Sequence, residues 1–161
     1  MDAGPFTGRA AFVTALKEAV VKATATSCRE MFWLDANFVD WPLSDAEVLS
    51  ALTTWARPPH CLHLLALDFE ALRLSHPQFV RWRGTYGHCV RARAVDPELA
   101  SSLTSGGVVA ALLAPPLSVR LFDADSGRGA LSLEPLDALR IRERFDALAQ
   151  RSSESFAATT L

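Results

Sequence analysis

The chain has 161 residues, 50% of them hydrophobic, and carries a net charge of −2 from Lys+Arg 16 against Asp+Glu 18. That length suits one ordinary domain, able to bury roughly 70% of its unfolded surface without a metal or disulfide staple. The near balance of charge argues against a dedicated polyanion binder but leaves room for a local basic patch.

Lys17 and Lys22 are the only lysines, so arginine supplies nearly all the positive charge. Met1-Asp2-Ala3-Gly4-Pro5 lacks the basic flank and apolar stretch of a signal peptide. The longest apolar run, Gly106 to Leu117, is broken by Pro115-Pro116 and is too short to cross a bilayer. Cys28, Cys61 and Cys89 form no CxxC pair, which suits free thiols in a reducing compartment. The cytoplasm is the expected location, with no cofactor, no metal and no membrane partner.

In chain order, Thr7 to Thr24 reads as an amphipathic helix, with Phe12, Leu16, Ala19, Val20 and Ala23 on one face. Met31-Phe32-Trp33-Leu34 suits a strand over Glu30 to Leu34 that is buried on both faces. Asp35 to Pro42 is a loop. Ser44-Asp45-Ala46-Glu47 has the pattern of a capping box for a helix burying Val48, Leu49, Leu52 and Trp55 before Pro58-Pro59. A second strand over Cys61 to Leu67 ends at Asp68, placed to cap a helix with Phe69, Leu72, Phe79 and Val80 inward and a break at His76-Pro77.

A third strand, His88 to Val95, ends at Asp96-Pro97. Alternation of helix and strand to this point favours parallel pairing. Val108 to Ala114 and Leu117 to Phe122 read as strands. Ser126-Gly127-Arg128-Gly129 turns into Ala130-Leu133 as an antiparallel hairpin, with glycine wanted for its positive φ. Pro135 opens a last helix to about Arg151, with Leu136, Ile141, Phe145 and Leu148 inward. The expected fold is therefore α/β: a mixed, mostly parallel sheet with flanking helices and a C-terminal antiparallel hairpin plus helix. One domain spans residues 1–151, and residues 152–161 form a flexible tail.

Three groups of residues are candidates for chemistry. Asp35, Asp68 and Asp96 lie at strand ends, the edge where open α/β sheets bind ligands and where clustered carboxylates can hold Mg²⁺. Capping of the following segments is the simpler use of all three. His60-Cys61 and His88-Cys89, with Cys28, carry soft ligands, but they are spread singly and alternate across faces, which favours buried thiols over zinc.

The segment Ala71 to Val95 has no acidic residue and carries Arg73, Arg81, Arg83, Arg91 and Arg93, with Trp82 and Tyr86 interleaved. Guanidinium groups on phosphates and rings under bases would make it a single-stranded nucleic-acid surface. Pairing with Asp35, Asp40, Asp45 and Glu47, or plain solvation, is the favoured alternative. No GxSxG, no GxxxxGK[ST] and no GxGxxG after a strand is present.

The element order, with Trp33-Leu34-Asp35, Leu64-Leu65-Ala66-Leu67-Asp68, His76-Pro77, Trp82-Arg83 and Leu121-Phe122-Asp123, resembles a single half of the phospholipase D superfamily. It is similar in particular to a bacterial domain family of unknown function with that fold, found alone or appended to acetyltransferases. Active members of the superfamily carry HxKxxxxD, whose histidine is the nucleophile and whose lysine holds phosphate, with two copies meeting across a dimer. The resemblance places Ser118, Arg120 and Asp125 on that motif, so the nucleophile and its lysine are replaced. None of His60, His63, His76 or His88 is followed two positions later by lysine.

The expected protein is thus a catalytically inactive phospholipase-D-like domain with a binding or regulatory role and no catalytic residues, forming a homodimer. Its expected ligand residues are Arg81, Trp82, Arg83, Arg91, Arg93 and Arg120, for an anionic ligand, beside a polar cluster of Asp35, Asp68, Asp96 and Asp125. The alternatives are a divergent enzyme acting on a phosphorylated substrate at the aspartate edge, or a nucleic-acid-binding module using the 71–95 arginines.

Overall fold

The computed structural model describes residues 2–105 and 107–157. A short strand β1 (Gly4–Phe6) precedes helix α1 (Arg9–Ala25), followed by β2 (Glu30–Leu34), α2 (Ala46–Trp55) and β3 (Cys61–Ala66). Helices α3 (Glu70–Ser75) and α4 (Pro77–Thr85) lead to β4 (Val90–Val95), and α5 (Ala100–Ser105) to β5 (Ala110–Ala114). Then come β6 (Leu117–Asp123), β7 (Arg128–Ser132), α6 (Pro135–Ala149) and β8 (Ser152–Glu154). All eight strands join one open sheet in the order β1-β7-β6-β5-β2-β3-β4-β8.

Local chemistry accounts for most of the boundaries. Asp45 is the N-cap of α2, accepting from the backbone N–H groups of Glu47 and Val48. This corrects the expected capping box, because Ser44 hydrogen-bonds His76 instead, at 2.7 Å. Pro77 cannot donate within a continuing helix, so α3 and α4 separate at His76, where the break was expected. In the β6–β7 hairpin Gly127 has φ +69 as anticipated, whereas Gly129 is required for closeness: a Cβ there would strike the Arg120 carbonyl and the Phe6 ring.

The sheet is mixed but mostly antiparallel, which corrects the expected parallel majority. Among the described residues only β2–β3 and β3–β4 pair in parallel. β5 returns antiparallel to β2, and β5–β6, β6–β7, β1–β7 and β4–β8 are antiparallel as well. Alternation of apolar residues identifies strands; it carries no sign for their direction, which depends on how the long connection after β4 re-enters the sheet.

Two cores flank the sheet. On one face Met31, Trp33, Leu62, Leu64, Leu112 and Val119 meet Leu16 and Val20 of α1, Leu52 and Trp55 of α2, and Phe79 of α4. On the other, Phe32, Leu34, Leu65, Ala111 and Leu113 meet Ile141, Phe145 and Leu148 of α6. The unbroken Met31–Leu34 run is thereby explained: alternate side chains enter alternate cores, each burial worth about 1.5–3 kcal/mol. Leu136, expected inward, is 55% exposed, and Ala138 takes the inward position.

The expected flexible tail from Ser152 is corrected by β8 and by Phe156, which is buried. Its ring stacks on Phe69 at 5.1 Å and on Phe79 at 6.2 Å. Residues 158–161 of that expected tail lie outside the described residues. Phe156→Ala should therefore cost about 3–5 kcal/mol of unfolding free energy, as for other buried phenylalanines. Urea denaturation followed by tryptophan fluorescence measures it, and an unchanged midpoint would show that this segment contributes nothing to the fold.

A candidate anion-binding groove

Parallel pairing of β3 with both β2 and β4 sets side chains in rows. Phe32, His63 and Arg91 are register partners in one row; Leu34, Leu65, Arg93 and Glu154 follow in the next. Because side chains two apart share a face, Arg91 and Arg93 emerge on the same side as His63. They line a cavity of about 860 Å³ with Arg83, Arg142, Phe145, Asp146 and Ser155 also in its walls.

The floor is aromatic. Phe32 and His63 stack at 4.6 Å with their planes 5° apart, and Phe145 meets Phe32 edge-on at 5.3 Å. The Arg142 guanidinium sits over the Phe32 ring at 4.2 Å and bonds Asp146 through Nε at 3.1 Å. His63 Nε2 is 2.7 Å from Glu30 Oε2, which places the ring proton on Nε2, donating to the carboxylate. Burial holds the His63 pKa below its ordinary 6.5 against the opposing pull of Glu30, while Arg91 and Arg142 push it further down.

The walls hold guanidinium groups without carboxylate partners. Arg83, a buried residue, donates from Nε to the Phe156 carbonyl and from Nη1 to the Gly87 carbonyl, each at 3.1 Å. Its pKa is lowered by burial first and by nearby Arg73 second. Arg93 donates to the Ser152 hydroxyl and carbonyl, both at 2.7 Å. The Arg91 side chain makes no hydrogen bond or ion pair with the described residues and is exposed. The acids favoured as partners for this basic run are engaged elsewhere: Arg9 pairs with Asp40, and Lys17 with Asp45 and Glu47.

The other expected ligand residues do not reach the groove. Arg81 is exposed on α4. Trp82 is buried between Phe79 and Tyr86, each 5.5 Å away, so its faces are unavailable to a base. Arg120 is bound to Asp137 at 3.3 Å under the start of α6.

The aspartates do not form a cluster. Asp35 accepts from the N–H groups of Asn37 and Phe38, Asp68 from that of Glu70, and Asp96 from that of Glu98 and from Arg151. Asp125 is exposed in the hairpin turn. Among the described residues no group of three His, Cys, Asp or Glu is arranged to hold a metal ion.

His63, Phe32 and Arg142 are among the groove residues that the sequence reading did not single out. His63 and Phe32 become neighbours only through strand register, and Arg142 arrives from α6, about eighty positions further along the chain than His63. The one signal within reach was a polar His63 inside an otherwise apolar strand, Leu62-His63-Leu64-Leu65.

No family model matches the chain, and no curated protein does. Among solved structures the fold is similar to that of TrmBL2, an archaeal chromatin protein whose structure is described as showing a novel mode of DNA binding. The TM-score is 0.66 at 13% identity, covering 96% of this chain and 54% of that one. The chain therefore spans about half the length of the protein it superposes on, and at this identity the likeness shows the fold alone.

These findings overturn the phospholipase-D resemblance, and the homodimer expected from it loses its basis. The motif positions agree: Ser118 is fully buried with its Oγ unpartnered among the described residues, Arg120 is held by Asp137, and Asp125 stands apart in a turn. Among the described residues no helix is long and apolar enough to cross a membrane.

Burial lowers the His63 pKa in the folded chain below its unfolded value, so the unfolded chain binds the extra proton as pH falls. Stability contributed this way is present above pH 6.5 and is lost as pH falls through the depressed folded value. Titration of the His63 Cε1 proton by NMR should give a midpoint below 6.5, and Glu30→Gln should lower it again. A midpoint that rises in the Glu30→Gln protein would contradict the Nε2–carboxylate contact.

Proposed function

We propose that this domain binds single-stranded nucleic acid in the arginine-lined groove, as a binding domain rather than an enzyme. One observation carries the reading: Arg83, Arg91 and Arg93 surround a single cavity and none is paired with a carboxylate. Guanidinium groups present planar forks suited to phosphate, and Arg83, Arg91, Arg93 and Arg142 outnumber the lining carboxylates Asp146 and Glu154, which leaves the cleft net positive. Buried Arg83, satisfied only by carbonyls, gains most from an anion, because an uncompensated charge in a low-dielectric site is costly.

An extended strand can enter the groove bounded by α6 and β8 with its backbone on the arginines and a base toward the His63 ring. Similarity in fold to a protein described as DNA-binding is consistent with this reading. The overall charge of −2 does not oppose it, since the acids are drawn off to Arg9, Lys17 and the helix caps.

Fluorescence anisotropy with a labelled single-stranded oligonucleotide at low salt tests the proposal. Binding should weaken as salt rises, with a log–log slope of about −2 for three phosphate contacts. The double change Arg91→Glu with Arg93→Glu should weaken it by at least about 10-fold while circular dichroism stays unchanged. No binding to the unmutated protein at low salt would end this reading.

A further inference from the structure

We propose that the groove is shaped for one nucleotide unit, its base against the β4-facing side of His63 and its phosphate between Arg91 and Arg93. This rests on the nucleic-acid reading above and adds which unit is recognised, and where. Phe32 covers one face of the His63 ring, and the register puts Arg91 on the other side of that ring in the same row. The uncovered face therefore looks along the sheet toward a guanidinium, and 21% of the His63 side chain is open to the cavity. Its plane is held from two directions, by Phe32 and by the Glu30 carboxylate, so stacking costs little further ordering.

The phosphate side is equally prepared. Arg93 spends Nε and Nη2 on Ser152, and among the described residues its Nη1 and the whole Arg91 guanidinium make no hydrogen bond. Asp146 is taken by Arg142, so Glu154, the register partner of Arg93, is the remaining lining carboxylate. It can accept from a base amino group or a sugar hydroxyl, which a bare phosphate lacks. A cavity of about 860 Å³ falls among those that hold small organic ligands and is far larger than an inorganic ion needs.

The experiment compares adenosine 5′-monophosphate, adenosine and inorganic phosphate by calorimetry, each also as a competitor of a labelled single-stranded oligonucleotide. The monophosphate should bind at least about 10-fold more tightly than adenosine or phosphate, the order of one base–ring stack, and displace the oligonucleotide. His63→Leu should remove that advantage over phosphate, while His63→Phe, which keeps a stacking face, should retain it.

A monophosphate that binds no better than phosphate overturns the inference, as does a His63→Leu protein with an unchanged ratio. Should His63→Leu fail to fold, the three ligand affinities of the unmutated protein together with His63→Phe still decide. Oligonucleotide binding that the monophosphate cannot displace overturns the single-nucleotide site and leaves strand binding standing. Tight monophosphate binding without any oligonucleotide binding supports the site and overturns the strand reading.

Discussion

Parallel pairing of β3 between β2 and β4 is the constraint on which the rest depends. It aligns Phe32 with His63 and His63 with Arg91, so each row runs from the middle of the sheet to its edge. Along that row polarity rises step by step, from a buried ring to a half-buried imidazole to an open guanidinium. The opposite side of the same strands carries Trp33, Leu64 and Ala92, sealed by helices. A shift of one residue in β4 would send Arg91 and Arg93 into that dry core, where unpaired charge is not tolerated. The register of β4 is thus enforced from both faces.

The edge position matters as much as the register. β8 covers only Arg93 to Val95 of β4, and beyond it Ser155 donates to the Ala92 carbonyl. The remainder of β4 faces the cavity rather than another strand. The short β8 with its charged Glu154 also leaves little regular edge for another chain to join. Phe156 anchors this segment, and its carbonyl accepts from Arg83, so the same turn of chain completes the core and orients a wall of the groove.

Charge is distributed by neighbourhood rather than by total. Asp40, Asp45 and Glu47 are drawn to α1, where Arg9 and Lys17 meet them. Asp96 is occupied by Arg151, at the other end of α6 from Arg120 and its partner Asp137. What remains near β4 is a surplus of guanidinium groups, with Arg73 and Arg83 both over the Phe156 ring at 4.8 and 5.8 Å. A chain of net charge −2 can in this way hold a cleft whose lining arginines outnumber its carboxylates.

Sequence alone determined what depends on near neighbours. The β2 strand, the break at His76-Pro77, the hairpin at Gly127 and the inward face of α1 all follow from periodicity, proline and glycine chemistry, which act over a few residues. The shared face of Arg91 and Arg93 followed from strand alternation alone. Tertiary structure decided the direction of β5, the burial of Trp82 and Phe156, and the exposure of Leu136. It also decided that His63, Arg91 and Arg142 meet. These outcomes rest on contacts between segments far apart in the chain, and hydrophobic periodicity records that a side chain is buried without recording what it is buried against.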